Sequence, residues 1–187
     1  MKRVRWVIPA VVVIGFVWLV AGCDSAEKGE SGAMAGSGQM APPFGGPDDV
    51  KRAERLWRNI RGYQNWASYP GLAGWQEGKS PHGKVLKYYI NSTAVRNPQN
   101  PRNGYVIIKE NYGERNGPLM AVTVMQKVRN YDPDNADWFW VKYMPNGTLA
   151  KNPKGMLLAG RVAKGMPAGC IACHSNAAGG DYLFVND

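Results

Sequence analysis

From residue 48 onward the apolar positions fall first at helical spacing and then in alternation. Val50, Ala53, Leu56, Trp57 and Ile60 share one face of a helix that runs from a capping Asp48 to about Arg61, where Gly62 ends it. Lys51, Arg52, Arg55 and Arg58 lie largely off that face. Then the period changes. Lys84 to Ile90, Tyr105 to Glu110, Leu119 to Val128 and Asp137 to Met144 are short runs rich in β-branched and aromatic residues, separated by Asn, Pro, Gly and Asp clusters. Pro133 and Asn135 punctuate the third gap, and Asn146-Gly147 is a strong turn signal. Four strands in succession predict an antiparallel meander, so the fold class is mainly β (α+β) with an N-terminal helix. A short helix near Met156 to Lys164 and a last extended segment over Asp181 to Val185 complete the expected elements. No internal repeat is visible.

Upstream of the helix the composition differs. Met1 to Val20 begins with Lys2, Arg3 and Arg5 and continues into an apolar run from Trp6, the shape of a secretory signal. It closes with Leu19-Val20-Ala21-Gly22-Cys23, which resembles a bacterial lipobox; in that class Cys23 is lipidated and becomes the first mature residue. The competing reading is a retained transmembrane anchor, for which the run is short. Asp24 to Pro47 is rich in Gly, Ser, Ala and Pro and has few large apolar residues, so it reads as a flexible tether. The expected organisation is a lipoprotein signal peptide over 1–22, a lipid-anchored tether over 23–47 and one folded domain over 48–187. The expected location is the periplasm, held at a membrane by the lipid.

Near the C-terminus, Cys170-Ile171-Ala172-Cys173-His174 forms a C-x-x-C-H motif, which reads as a site for covalent haem c. Each thiol adds across a haem vinyl group as a thioether, and His174 becomes the proximal ligand of the iron. A zinc site is the alternative. Beyond these three ligands only His82 and Cys23 remain to complete a set of four, and adjacent Cys173 and His174 close a cramped chelate. With Cys23 in the lipobox, no cysteine is left for a structural disulfide.

The chain carries a formal charge of +9, and loss of residues 1–22 removes three positive charges to leave +6. That excess steers toward acidic partners or an anionic membrane surface. For an exported protein nucleic acid is a poor candidate partner, and none is expected.

In order and spacing the chain resembles the cytochrome P-460 family, which includes the β-sheet cytochromes c′. The resemblance spans the folded domain: Ser80-Pro81-His82-Gly83, Tyr89-Ile90-Asn91, Val106-Ile107-Ile108-Lys109-Glu110-Asn111, Met125-Gln126-Lys127, Asp137-Trp138-Phe139-Trp140, the haem motif, and Asp181-Tyr182-Leu183-Phe184. It implies an antiparallel β fold, a homodimer and a five-coordinate haem with an open distal side. It further implies oxidation of hydroxylamine to nitrous oxide or nitric oxide, with electrons passed to a small soluble cytochrome. The enzymes carry a lysine bonded to the haem edge, and by motif match that lysine is Lys109. Non-catalytic members bind nitric oxide or carbon monoxide; a six-coordinate electron-transfer cytochrome is the third reading.

The residues allow the Lys109 assignment. Tyr105, Ile107 and Lys109 share one face of a strand whose two faces are both apolar until its end, so Lys109 points inward while Glu110 faces away. The alternative is a strand-end lysine that reaches solvent. Glu110 and Glu114 are the nearby acids, and neither is secured as the distal proton carrier. The strand where an acid is expected offers Met120, Val122, Thr123 and Val124 instead, and a distal arginine is absent. His82 reads either as a sixth ligand or distal base, or as a turn residue with local hydrogen bonds. Met120, Met125, Met144, Met156 and Met166 read as core filling ahead of iron ligation. Trp138, Phe139 and Trp140 are expected in the core beside the haem.

Overall fold

This computed structural model describes residues 43–186; the expected signal peptide, Cys23 and most of the expected tether lie outside the described residues. Six strands form one antiparallel sheet in chain order: β1 (Gln76–Glu77), β2 (Val85–Ile90), β3 (Val106–Tyr112), β4 (Leu119–Lys127), β5 (Trp138–Tyr143) and β6 (Ala159–Gly160). The predicted meander supplies the four central strands to within one or two residues at each end. The two-residue edge strands β1 and β6 carry too little periodic signal to be read from sequence.

Helix α1 (Pro47–Asn59) covers one face of the sheet. It starts one residue before the expected cap: Gly46 is the N-cap, Pro47 opens the first turn, and Asp48 and Asp49 sit within that turn, where the helix dipole favours carboxylates. Ala53, Leu56 and Ile60 bury against Val106, Ile108, Val122, Val124, Phe139 and Val141. Ile108 and Val122 are completely buried, and each such side chain contributes about 1.5–3 kcal/mol. Tyr143 Oη donates to the carbonyl of Ala53 at 2.7 Å and ties helix to sheet.

The opposite face carries Ile107, Met125, Trp138 and Trp140 and packs against the C-terminal segment through Val162, Ile171 and Leu183, with Phe44 completing the cluster. The three consecutive aromatics therefore divide by strand alternation: Trp138 and Trp140 look toward this layer and Phe139 toward α1.

Two expected elements differ. Met156 to Lys164 is not a helix: it contains β6, because Lys142 N–H donates to Leu158 O and Gly45 N–H to Ala159 O, drawing these residues onto the sheet edge. The extended segment over Asp181 to Val185 is a bend running into a 3-10 turn at Phe184–Asn186. It is folded back by Trp138 Nε1, which donates to Asp181 O at 2.8 Å, and by the Asp181 carboxylate, which accepts from the Leu183 N–H. A short helix, α2 (Ser92–Arg96), joins β2 to β3 and is capped by Asn91.

Candidate functional site

Between the sheet and the C-terminal segment lies a cavity of about 380 Å³, with Ile107, Lys109, Thr123, Met125, Trp140 and Lys142 on the sheet side. Register fixes part of this wall. Tyr88 pairs with Lys109, Lys109 with Thr123, and Thr123 with Lys142, so one row crosses four strands on one face. The row beside it runs Ile107, Met125, Trp140 and Gly160 and is apolar. The far wall contains Val162, Gly169, Cys170, Cys173 and His174.

The Cys-x-x-Cys-His motif is the short helix α3 (Cys170–His174), entered through Gly169. A Cβ at Gly169, which has φ +139°, would stand 2.2 Å from Ala163 Cβ, so only glycine allows this approach. Neither thiol is in a disulfide; Cys173 is exposed, and burial pushes the Cys170 thiol up to about 11. His174 is buried, its Nδ1–H donates to Tyr182 O at 2.8 Å, and the lone pair is left on Nε2. Burial, with the nearby Lys109 charge second, lowers its pKa to about 4, so it is neutral at ordinary pH. Trp140, Phe184 and Tyr182 surround it: the first two rings lie 4.9 and 5.3 Å from the imidazole, and Tyr182 adopts a left-handed φ of +67° where its carbonyl meets Nδ1.

Lys109 projects into this cavity, as strand alternation predicts, and Glu110 turns to the other side of the sheet. Burial lowers the Lys109 pKa to about 8, with a smaller opposing effect from Cys173. Glu110 is buried there and accepts from Tyr63 Oη at 2.8 Å, Tyr112 Oη at 2.7 Å and Tyr89 Oη at 3.1 Å. It is therefore separated from the cavity by the sheet itself. Glu114 does not line the cavity, and neither does Met120, which is exposed on β4.

His82 does line the cavity. Its backbone makes a local bond to Lys79 O, as a turn residue should, but its imidazole reaches across to β3. Nδ1 lies 2.9 Å from Asn111 Oδ1. Burial, then the Lys109 charge, lowers its pKa to about 4. The His82 and His174 ring centroids stand 6.3 Å apart with planes at 83°. Asn111, Thr123 and Lys142 had no assigned role in the sequence. The signal available was polarity: each interrupts an apolar strand on the face that Lys109 occupies.

These residues fit a haem. The cavity is mainly apolar, which suits a macrocycle, and two thiols and an imidazole lone pair on one short helix supply the attachment and ligation chemistry. Among the described residues Trp140 Nε1–H is the buried side-chain donor without a partner, and it sits in the wall of this cavity, open to an acceptor carried by the cofactor. An antiparallel sheet that carries a thiol–imidazole motif against such a cavity defines a haem-binding cytochrome of the β-sheet class. The cytochrome P460 family model matches residues 60–185, and the chain belongs to that family. No curated protein matches the chain.

Proposed function

We propose that this cytochrome oxidises hydroxylamine at a haem c held by Cys170 and Cys173, ligated by His174 and bonded to Lys109. The observation that carries the reading is Lys109: its amine shares one cavity with both cysteines and His174, and burial lowers it to about 8. A primary amine near neutrality is a competent nucleophile, whereas an ordinary lysine is protonated at the same pH. Bond formation replaces one N–H and one C–H of the haem edge by an N–C bond; two protons and two electrons leave, the electrons to an oxidant of the peroxide class.

Haem iron supplies one-electron chemistry and a coordination position for a small nitrogen compound. Two hydroxylamine molecules give nitrous oxide, water, four protons and four electrons. The chain's own contribution is to exclude bulk water with Trp140, Met125 and Ile107, and to hold the His174 ring through Tyr182 O. A small soluble cytochrome takes the electrons, and the positive surface favours an acidic one. The protein works as a periplasmic homodimer tethered through lipid on Cys23.

One observation favours a second reading, the binding of nitric oxide or carbon monoxide without turnover: the residues that line the cavity include no carboxylate. The absorption spectrum of the reduced protein tests the first element, because a Lys109 bond moves the band well to longer wavelength. Steady-state consumption of hydroxylamine with an artificial acceptor tests the second. A cross-linked protein that consumes none is a gas-binding cytochrome.

A further inference from the structure

Asp132 is 1 % exposed, the most deeply buried carboxylate among the described residues, yet it does not line the cavity. It sits in the connection between β4 and β5, whose backbone closes around it. Asn135 N–H and Asp137 N–H both donate to Asp132 O, at 2.9 and 2.8 Å, and Asp132 N–H donates to Asp137 Oδ1 at 3.1 Å. The two carboxylate oxygens then serve different partners. Oδ1 accepts from Lys164 Nζ at 2.5 Å and faces Arg161 Nε at 3.6 Å. Oδ2 accepts from Asn135 Nδ2 at 2.9 Å. A carboxylate only accepts, so that bond sets the amide: Asn135 Oδ1 is turned the other way, and it accepts from Tyr182 Oη at 3.2 Å. Lys164 precedes α3 and Tyr182 follows it. The segment that carries Cys170, Cys173 and His174 is therefore tied at both ends to one buried charge.

The Tyr182 end bears on the site. Tyr182 O accepts from His174 Nδ1 at 2.8 Å, with Tyr182 held at φ +67°. A bulky side chain is disfavoured in that region and persists there only where its surroundings fix it. The residue before it is fixed on both sides: Trp138 Nε1 donates to Asp181 O, and Leu183 N–H donates to the Asp181 carboxylate. The side chain of Tyr182 itself is held by Asn135 and by the Trp140 ring, 6.3 Å away. An acceptor on Nδ1 fixes the orientation of a metal-binding imidazole and raises the basicity of its Nε2. We propose that Asp132, Asn135 and Tyr182 are positioning residues for the haem iron: they hold the Tyr182 carbonyl on His174 and so set the strength of the iron–imidazole bond and the reduction potential. None of the three lines the cavity, so they act only through His174.

The proposal rests on haem ligated by His174 but not on hydroxylamine oxidation. It is tested on the full-length holoprotein with Tyr182→Phe, which removes one hydroxyl and keeps both ring and carbonyl, and with Asn135→Ala. Resonance Raman of the ferrous protein reads the iron–histidine stretch, and redox titration reads the potential. Each variant should lower the stretch frequency and shift the reduction equilibrium toward the ferrous form by roughly two- to tenfold. That is less than the roughly 10–100-fold effect of losing a direct partner of a metal-bound histidine, because the carbonyl itself remains. The double variant should shift no further than either single one, since both break the same link. Asp132→Ala should reproduce the shift and also lower the unfolding midpoint; if it does not accumulate, Tyr182→Phe decides alone. A wild-type stretch and potential in Tyr182→Phe overturn the proposal, as does a double variant whose shifts add. A haem-bound wild type that shows these shifts but consumes no hydroxylamine loses the proposed reaction and keeps the positioning residues; turnover with an unshifted stretch in Tyr182→Phe does the reverse.

Discussion

Lys109 and Glu110 are neighbours on β3 that open onto different chemistry: the amine lies in the cavity with Cys170, Cys173 and His174, and the carboxylate lies behind the sheet among three tyrosines. Strand alternation alone separates them. The nearest acid in sequence is thereby removed from the site, and the cavity is left with two histidines and two lysines as its titratable groups besides the thiols.

The proposed Lys109 bond would have a signature in mass. The wild-type holoprotein should be two hydrogen atoms lighter than the sum of chain and thioether-bound haem, and Lys109→Ala should restore that sum. The same substitution should return the reduced absorption band to shorter wavelength and lower hydroxylamine turnover at least tenfold. Peptide mapping that recovers a free Lys109 from mature wild type contradicts the reading.

The pH dependence of cross-linking follows from the Lys109 shift from 10.5 to about 8. The reactive form is the neutral amine, so the rate should climb about tenfold per pH unit up to about 8 and level off above it. Stability before the bond forms carries the same sign. Between about 8 and 10.5 the unfolded chain holds a proton that the folded chain has lost, so stability rises with pH across that window. Mass spectrometry of maturing holoprotein from pH 6 to 10 measures the rate; a flat profile contradicts the assignment.

Glu110→Gln removes the charge that three tyrosyl hydroxyls donate to, and burial raises the pKa of Tyr63, Tyr89 and Tyr112 further. Hydrogen bonds to a charged acceptor are worth about 1.5–3 kcal/mol, and a loss of that size is expected in thermal or denaturant unfolding. The haem spectrum should be unchanged, because the carboxylate is on the far side of the sheet. An altered spectrum with unaltered stability would place Glu110 in the site after all.

Gly83 follows His82 and approaches β3 so closely that a Cβ would meet Tyr112 backbone atoms at 2.2 to 2.8 Å. Gly83→Ala should therefore cost about 1–3 kcal/mol and push the His82 turn away from the cavity. The expected readout is an altered haem absorption spectrum alongside the lower unfolding midpoint. A destabilised protein with an unaltered haem spectrum would show that Asn111 alone holds His82.

The sequence by itself determined the helix over α1, the four central strands, the split of Lys109 from Glu110, and the Cys-x-x-Cys-His motif. Each is written in short-range periodicity or adjacent residues, which local sterics convert directly into geometry. Only the tertiary structure decided that His82 confronts His174. Those residues are far apart in the chain, and their meeting depends on β2 to β5 pairing in one register and on the C-terminal segment folding back onto Trp138 and Trp140. The same pairing turned Thr123 and Lys142 from scattered polar positions into one wall with Lys109, and set Asn111 beside Thr123. Cross-strand register is set by the summed burial of many apolar side chains, so no single motif announces it.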